Sequence, residues 1–285
     1  MVSVIIMKIC DLHSHSTFSD GSMTPTQLIE LAEKQGLSAL ALTDHNTAKG
    51  LPELVEAAEN SSVEAVPGCE FSTEWEKHEL HIVGLFFDRD KWAEIEDYVE
   101  LLNMAKKRSN QKLIENLNRA GYEITYDEVA KTTDANEFNR AHVARVLVDK
   151  GYAVDVNYAF KNILSEKVGY YVPPRRLGSL ATIRFIKANG AVAILAHPFL
   201  NLNYEELERF LPEAKEAGID AIETLYSKFS DEQTKQAKEL VARFGLKESG
   251  GSDFHGTAKP DIQLGCGMGN LEIPYEIKEN LEKSK

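Results

Sequence analysis

Apolar and polar positions follow one another in a regular order along most of the chain: a short apolar run, a polar residue at its end, then a segment with helical periodicity. Runs of this kind predict buried strands at residues 4–10, 37–42, 63–72 and 79–87. Thr24 before Pro25 is typical of a helix N-terminus, so the first helix is expected to begin there. The repeated order of strand and helix indicates a parallel sheet or barrel with helices outside.

This order breaks between about residues 91 and 171, where helical patterns follow one another without a strand pattern. Helices are predicted at 92–117, 126–130, 140–150 and 156–164. We interpret this stretch as a helical insertion, which predicts two domains: a barrel made of residues 1–90 and 172–285, and a cap at 91–171. The alternation then returns, with strands expected at 191–196 and 219–223 and from Leu246 onward.

Charge and cysteine content narrow the class of protein. The 285 residues carry a formal charge of −13, which argues against a protein that binds nucleic acid over its whole surface. No apolar run approaches the roughly 18 residues that a membrane span needs, so no membrane association is expected. The three cysteines form no CxxC pair, and Cys10 and Cys69 lie in apolar runs as expected of reduced core residues. We therefore expect a cytoplasmic protein.

Histidine and carboxylate side chains recur where the predicted strands end. His13 and His15 are two residues apart, so on an extended backbone both imidazoles project from the same side. In barrels of this class the active site is built at the carboxyl ends of the strands. The same placement gives nine candidate metal ligands: His13, His15, Asp20, His45, Glu70, His81, His197, Asp253 and His255. One ion takes fewer, so the set predicts two or three divalent ions, with Glu70 as the bridging carboxylate.

Each motif also has a purely structural alternative. His13 and His15 taken alone are explained equally well as hydrogen-bonded polar residues at a strand end. The full set makes this alternative weak, because so many converging imidazoles would repel one another once protonated.

Several motifs of the chain resemble the PHP (polymerase and histidinol phosphatase) superfamily. They are His13-x-His15, Thr43-Asp44-His45, Ala196-His197-Pro198 and Gly251-Ser252-Asp253-x-His255, together with Asp20, Glu70 and His81. The resemblance implies an α/β fold, a distorted TIM-like (β/α)7 barrel, with a trinuclear metal centre. It also implies how the ligands are shared: His13, His15, Glu70 and Asp253 at one ion, Asp20, His45 and His255 at a second, and Glu70, His81 and His197 at a third.

The helical insertion resembles one branch of that superfamily, the stand-alone bacterial phosphoesterases. The matching residues are Asn139-Arg140-Ala141-His142 and Tyr171-Val172-Pro173. The resemblance implies that Arg140 and His142 bind a substrate phosphate, for which a guanidinium is a natural bidentate partner. A protonated His142 would also assist the leaving oxygen. The alternative is a surface arginine at a helix N-terminus and a packed helical histidine.

The predicted function is hydrolysis of phosphate esters of nucleotides by a metal-bound hydroxide, with Glu70 and His142 in catalytic roles. By the resemblance, the substrates are AMP, a nucleoside 3′,5′-bisphosphate or the 5′ ends of short RNA. The ions are expected to be Mn²⁺, Zn²⁺ or Fe²⁺, since mixed histidine and carboxylate sites accept all three. No obligate protein partner is inferred. Two other functions stay open: a histidinol-phosphate phosphatase and a non-catalytic metal-binding PHP module.

Other charged positions are assigned outside the metal centre. His78 is predicted to be a turn residue, and Asp44 is expected to support a ligand through a hydrogen bond. The basic run 106–108, with Lys112, is interpreted as a solvated helix face, with an RNA-guiding surface as the weaker alternative. The pair Arg175-Arg176 stays ambiguous.

Overall fold

The structure, a computed structural model, describes residues 8–133, 138–174 and 176–285. Within these it has eight strands, β1 to β8, at Cys10–Asp11, Ala39–Leu42, Glu64–Trp75, His78–Leu85, Leu177–Gly178, Val192–Leu195, Ala221–Tyr226 and Lys247–Gly251. Ten α-helices, α1 to α10, lie at Pro25–Lys34, Leu51–Ala58, Trp92–Arg119, Tyr126–Ala130, Arg140–Asp149, Val156–Asn162, Ser179–Ala188, Tyr204–Ala217, Asp231–Phe244 and Tyr275–Glu282. The predicted first strand begins outside the described residues, and its described end is β1.

Seven strands form a nearly closed barrel in the order β1-β2-β3-β4-β6-β7-β8, and the short β5 pairs with β3. Backbone hydrogen bonds join the two ends of this sheet. The Leu12 amide donates to the Gly250 carbonyl at 3.2 Å, and the Asp253 amide donates to the His13 carbonyl at 2.9 Å. The segments that follow β1 and β8 therefore lie side by side.

Strand β2 shows how the barrel core is divided. All four of its residues are buried, as expected for a strand covered on both faces. Leu40 and Leu42 pack in the cluster between the sheet and the outer helices, whereas Ala39 and Ala41 pack in a second cluster with residues of the other strands. Small alanines on the second face leave room for the side chains that converge inside the barrel.

The predicted parallel order is wrong at one strand. β4 is antiparallel to both β3 and β6. Only Glu76 and Lys77 connect β3 to β4, both with positive φ (46° and 77°), as in the tight turns that reverse a hairpin. A connection of this length cannot hold the crossover helix that parallel strands require. Glutamate and lysine are not typical of such a turn, so the sequence does not predict it.

The helices around the barrel follow the sequence pattern closely. α1 begins at Pro25 after the N-cap Thr24, whose hydroxyl accepts from the Gln27 amide, while the Gln27 side chain returns a bond to the Thr24 amide. In the helical segment, the helix predicted at 126–130 has the observed bounds of α4. Helices α1, α2, α8 and α9 pack against the outer face of the sheet, since their apolar residues belong to the cluster on that side.

Helices α4, α5 and α6 and the second half of α3 pack around a hydrophobic cluster of their own within residues 113–171. The first half of α3 instead contributes Ile95 and Val99 to the barrel cluster. The side-chain amide of Asn116 in α3 donates to the carbonyl of Tyr170 at 2.8 Å, which ties the returning chain to this helix. α3 thus connects the barrel with the helical segment.

The structure bears on two expectations from the sequence, one about membrane spans and one about the cysteines. No helix in the described ranges is long and apolar enough to cross a membrane. Cys10 and Cys69 are free and buried, as predicted, and burial raises the pKa of the Cys10 thiol to about 12. Neither thiol is therefore a reactive group at neutral pH.

Candidate metal centre

The barrel brings all nine predicted ligands to one edge. His13, His15 and Asp20 follow β1, His45 follows β2, and Glu70 lies beyond the part of β3 that pairs with β2. His197, Asp253 and His255 follow β6 and β8. His81 reaches the same edge from near the beginning of β4, because that strand runs in the opposite direction. The antiparallel strand explains why a ligand is absent from its carboxyl end.

Glu70 is the centre of the cluster. Its Oε1 lies 2.8 Å from Nδ1 of His81 and 3.0 Å from Nε2 of His197. Its Oε2 lies 3.0 Å from Nδ1 of His45, 3.3 Å from Nε2 of His15 and 3.4 Å from Nε2 of His13. A single buried carboxylate with five imidazoles around it has the arrangement expected of a bridging ligand.

Two further carboxylates complete the cluster. Asp20 has its Oδ1 3.1 Å from Nε2 of His255 and its Oδ2 3.9 Å from Nε2 of His45. Asp253 has its Oδ1 3.4 Å from Nε2 of His15 and 3.8 Å from Nε2 of His13. Asp20 also lies 3.8 Å from Nδ1 of His15, and Asp253 lies 3.4 Å from Nδ1 of His255, so the two carboxylates share His15 and His255.

The electrostatics favour ionised carboxylates at this edge. Burial by itself raises the pKa of Glu70, but the imidazoles of His81, His45 and His13 outweigh it and hold that pKa well below its usual range. Burial likewise opposes ionisation of Asp20, yet His255 and His45 hold its pKa well below the ordinary value. Ionised carboxylates beside imidazole nitrogens are the ligands that divalent transition metals take.

Four buried donor atoms in the cluster bear on whether it can bind metal ions. They are Nε2 of His13, Nε2 of His15, Nδ1 of His45 and Oε2 of Glu70, and each lacks a hydrogen-bond partner among the described residues. Buried polar atoms without partners are costly, and these four all face one another. A divalent ion about 2 Å from such atoms would satisfy them. The donor set therefore fits divalent metal ions.

Three groups of side chains meet the geometry of a metal site, with one donor atom from each residue within 4.8 Å of the others. They are His15, Asp20, His45 and His255; His13, His15 and Glu70; and His45, Glu70 and His81. His15, His45 and Glu70 each belong to two groups, whereas in the sets implied by the resemblance Glu70 alone is shared.

Sequence reasoning missed several residues that hold the ligands in place. Glu223 lies 3.0 Å from Nδ1 of His13 and accepts from the His197 amide at 2.6 Å. The Tyr226 hydroxyl and the Lys259 ammonium both donate to Oδ2 of Asp253, at 2.8 and 2.7 Å. Glu223 could have been found, because it ends the predicted strand 219–223. Tyr226 and Lys259 carry no comparable signal.

Asp44 was expected to hydrogen-bond to a candidate ligand. Its carboxylate instead accepts hydrogen bonds from the loop after β1. It accepts from the amide and hydroxyl of Ser16, at 2.8 and 2.6 Å, and from the hydroxyl of Ser19 at 2.6 Å. These bonds fix the turn that brings Asp20 back over the two histidines. Its effect on the ligands is therefore exerted through the backbone.

Two ligands have backbone conformations that L-residues rarely adopt. His197 has φ 28° and Asp253 has φ 58°. Such conformations are costly, and they persist where the surroundings fix them. Here the Glu223 carboxylate holds the His197 amide and the Asp253 amide pairs across the barrel seam, so both side chains turn sharply toward the cluster.

A cavity of about 200 Å³ lies between this edge and helices α3 and α5, and we call it the cap cavity. Arg140 lines it, with its guanidinium carbon 4.3 Å from the centre of the Tyr171 ring. The side-chain amide of Asn139, which precedes Arg140, donates to Oδ2 of Asp20 at 3.1 Å. This bond joins the beginning of α5 directly to a candidate ligand.

His142 has a different environment from the one predicted. It is 4% exposed, its Nδ1 accepts from the Asn139 amide at 3.1 Å, and burial together with Arg145 lowers its pKa to about 4. Because Nδ1 accepts a bond, the ring proton lies on Nε2. In this arrangement His142 is a neutral donor at neutral pH, which does not suit the role of a protonated acid.

Other charged residues from the sequence lie around the cap cavity. Lys106 lines it, whereas Lys107 and Arg108 are exposed and Lys112 lies 3.4 Å from Glu115, as in a solvated helix face. Arg176 also lines the cavity and donates to Glu79 at 2.7 Å. Arg175 lies outside the described residues. His78 is outside the cluster, with Nε2 3.5 Å from Glu206.

Comparisons with known proteins indicate the family of the chain. A sequence profile of the PHP domain matches residues 11–243. The chain is 36% identical to a 5′-3′ exoribonuclease of Haemophilus influenzae over 253 residues, 86% of this chain and 89% of that one. It is 31% identical to a 3′,5′-nucleoside bisphosphate phosphatase of Chromobacterium violaceum over 257 residues, 90% of both chains.

Solved structures give the same result for the fold. A protein from Bifidobacterium adolescentis, described as a metal-dependent phosphoesterase, superimposes with a TM-score of 0.85 at 28% identity. The alignment covers 97% of this chain and 96% of that chain. The likeness therefore extends over the barrel and the helical segment together.

Proposed function

The chain belongs to the PHP domain family, and on that premise we propose that it hydrolyses phosphate esters of nucleotides, namely nucleoside mono- or bisphosphates or the 5′ ends of short RNA. It is a metal-dependent phosphoesterase, as its relatives are. The observation that carries the proposal is Glu70, a buried carboxylate with five imidazoles around it beside a cavity that holds Arg140.

We assign two to three divalent ions to this edge, with Mn²⁺, Zn²⁺ or Fe²⁺ as candidates. His13, His15, Glu70 and Asp253 would hold one ion, Asp20, His45 and His255 a second, and Glu70, His81 and His197 a third. The four buried donor atoms without hydrogen-bond partners support this assignment. Glu223 would orient His13 through Nδ1, which leaves Nε2 as the ligand atom.

Bound divalent ions supply a nucleophile at neutral pH and stabilise negative charge on the phosphoryl oxygens. The chain's own residues bind and orient the substrate. Arg140 presents a guanidinium to a phosphate, and its contact with the Tyr171 ring restricts its orientation. The bond from Asn139 to Asp20 keeps that guanidinium at a fixed position relative to the cluster. His142 would take part as a neutral donor through Nε2.

We also propose that residues 91–171 act as a cap domain inserted into the barrel of residues 1–90 and 172–285. The separate hydrophobic cluster of the inserted helices supports this division. The position of the cap cavity between the two parts gives the insertion a role, because its residues line the space next to the ligands. The free, unpaired cysteines agree with a reducing compartment, and we propose the cytoplasm.

The test is phosphate or nucleotide release by the purified, Mn²⁺-loaded protein from four compounds side by side: AMP, adenosine 3′,5′-bisphosphate, a short 5′-phosphorylated RNA and histidinol phosphate. We expect at least one nucleotide compound to be hydrolysed with a much higher kcat/KM than histidinol phosphate, and chelator to abolish the reaction. Preference for histidinol phosphate would overturn the nucleotide assignment, and inactivity on all four with metal bound would favour a non-catalytic module.

A further inference from the structure

Two cavities meet at the candidate ligands. The cap cavity reaches His45 and His81 from one side, and a second cavity of about 270 Å³ reaches the same two histidines from the other. Besides the candidate ligands, the second cavity is lined by Glu79, Leu200, Asn201, Tyr226, Lys228 and Lys259, and we call it the Lys228 groove. The carboxylate of Glu79 is paired with Arg176 at 2.7 Å. A substrate bound at the ligands therefore has space on both sides.

The two cavities differ in how they meet the surface. Every residue that lines the cap cavity is buried or half-buried, so this cavity is the more enclosed of the two. The Lys228 groove opens to solvent, since Leu200, Asn201 and Lys228 are all exposed. An enclosed cavity suits the end of a substrate, whereas an open groove accepts a chain that continues past it.

The open groove has the chemistry to bind a nucleotide chain. The ammonium of Lys228 has no hydrogen-bond or ion-pair partner among the described residues, so its positive charge is available to a phosphate. Leu200 is 47% exposed beside it and offers an apolar surface to a base, and Asn201 offers an amide. Lys259 lies deeper, where its charge is already engaged by Asp253 at 2.7 Å.

The positive charge of Lys228 is opposite in sign to the net charge of the protein. The chain carries a formal charge of −13, and the cluster itself contributes three carboxylates. The net negative charge of the protein repels an RNA strand. The unpaired ammonium of Lys228 would attract the strand locally, next to the candidate ligands.

We propose that the Lys228 groove binds the downstream part of an RNA strand, the part that leaves when the terminal nucleotide is removed. This inference rests on the proposed function and deepens it: the terminal nucleotide occupies the cap cavity, the scissile phosphodiester lies at the ligands, and the next phosphates follow the groove past Lys228. A nucleoside bisphosphate fills only the cap cavity and the ligand edge.

The test compares two substrates in one enzyme. For the full-length, Mn²⁺-loaded protein, kcat/KM is measured on a 5′-phosphorylated hexaribonucleotide and on adenosine 3′,5′-bisphosphate, and the ratio of the two values is taken. In Lys228→Glu we expect this ratio to fall about tenfold, as for loss of a phosphate contact together with charge repulsion. The matched control is Lys235→Glu, which makes the same charge change on the outer face of α9, where Lys235 is exposed.

A binding measurement makes the test independent of turnover. Fluorescence anisotropy of a labelled hexaribonucleotide, with chelator present, gives the Kd of each variant, and we expect a weaker Kd and a smaller salt dependence only for Lys228→Glu. Equal effects of Lys228→Glu and Lys235→Glu, or no effect of either on the ratio and on the Kd, would overturn the groove. Hydrolysis of the bisphosphate without cleavage of the hexamer would also overturn it while the proposed function stands. If neither substrate is hydrolysed, and AMP is not hydrolysed either, the proposed function fails and the Kd values decide about the groove.

Discussion

At the scale of single residues, Glu70 is the side chain on which the metal centre depends most. Glu70→Gln removes the negative charge but keeps the shape, so five imidazoles lose their shared anionic partner. We expect activity to fall at least about 100-fold, the scale typical of a lost charged group in an active site, and bound metal to drop below the wild-type number. Elemental analysis of the purified variant, together with the phosphoesterase assay, measures both.

The matched control for this variant is Glu74→Gln, which makes the same change at an exposed position of the same strand. It should keep its metal content and its activity. An active Glu70→Gln protein with the full number of ions would remove Glu70 from the bridging position.

The environment of His142 gives a prediction about pH. Burial and Arg145 lower its pKa from the ordinary value of 6.5 to about 4, so the folded protein binds this proton less readily than the unfolded chain does. Stability from this group is therefore present above about pH 6.5 and is lost as the pH falls toward 4. In an NMR titration, the His142 imidazole should keep the chemical shifts of a neutral ring from neutral pH down to about pH 5. A His142 midpoint near 6.5 would contradict the neutral-donor assignment.

The site residues show what residue-level reasoning can reach. The candidate ligands could be selected from the sequence because a polar residue directly after an apolar run is conspicuous, and strand ends converge at one barrel edge. Tyr226 and Lys259 are not, since a tyrosine within a strand and a lysine in a loop are common and only the fold brings them to Asp253. The low pKa of His142 also depends on burial that the sequence does not display.

At the scale of elements, the beginning of α5 joins the helical segment to the candidate metal centre through Asn139. This side chain accepts from the amides of Ala141 and His142 and donates to Asp20. Asn139→Ala removes all three bonds and should lower the free energy of unfolding by about 1 kcal/mol, as for other lost N-caps. Urea unfolding measures this loss.

Asn139→Ser separates the two roles of the residue. Serine is also a good N-cap, so most of the stability should return, but its short hydroxyl does not replace the amide that reaches Asp20. Both variants should therefore raise KM for adenosine 3′,5′-bisphosphate. A serine variant with wild-type KM would show that the bond to Asp20 has no part in positioning Arg140.

The element with the wrong predicted direction is β4. Its apolar content and length match the sequence pattern, yet the pattern contains no information about direction, which depends on the two-residue connection at Glu76 and Lys77. His81 still lies at the edge that carries the other candidate ligands, because reversing the strand brings its first half to the place where its last half was expected.

At the scale of the whole molecule, the site depends on the seam that closes the barrel. The seam was not predictable, because the residues after the first strand bond to residues at the end of the last strand across more than 230 residues of chain, and no local pattern marks that contact. Gly251 lies at this seam: a Cβ there would be 2.1 Å from Cβ of His13 and 2.7 Å from its backbone nitrogen. Only a glycine permits the two segments to approach so closely.

Gly251→Ala should therefore open the seam and displace His13 at the same time. We expect the free energy of unfolding to fall by about 3 kcal/mol or more, at the upper end of overpacking effects, together with a loss of bound metal. Thermal unfolding and elemental analysis measure the two effects. Gly178→Ala is the matched control, because a Cβ at Gly178 would meet no atom within 4 Å and its φ of −72° suits alanine. Wild-type stability and metal content in Gly251→Ala would mean that the seam is not the element that positions His13.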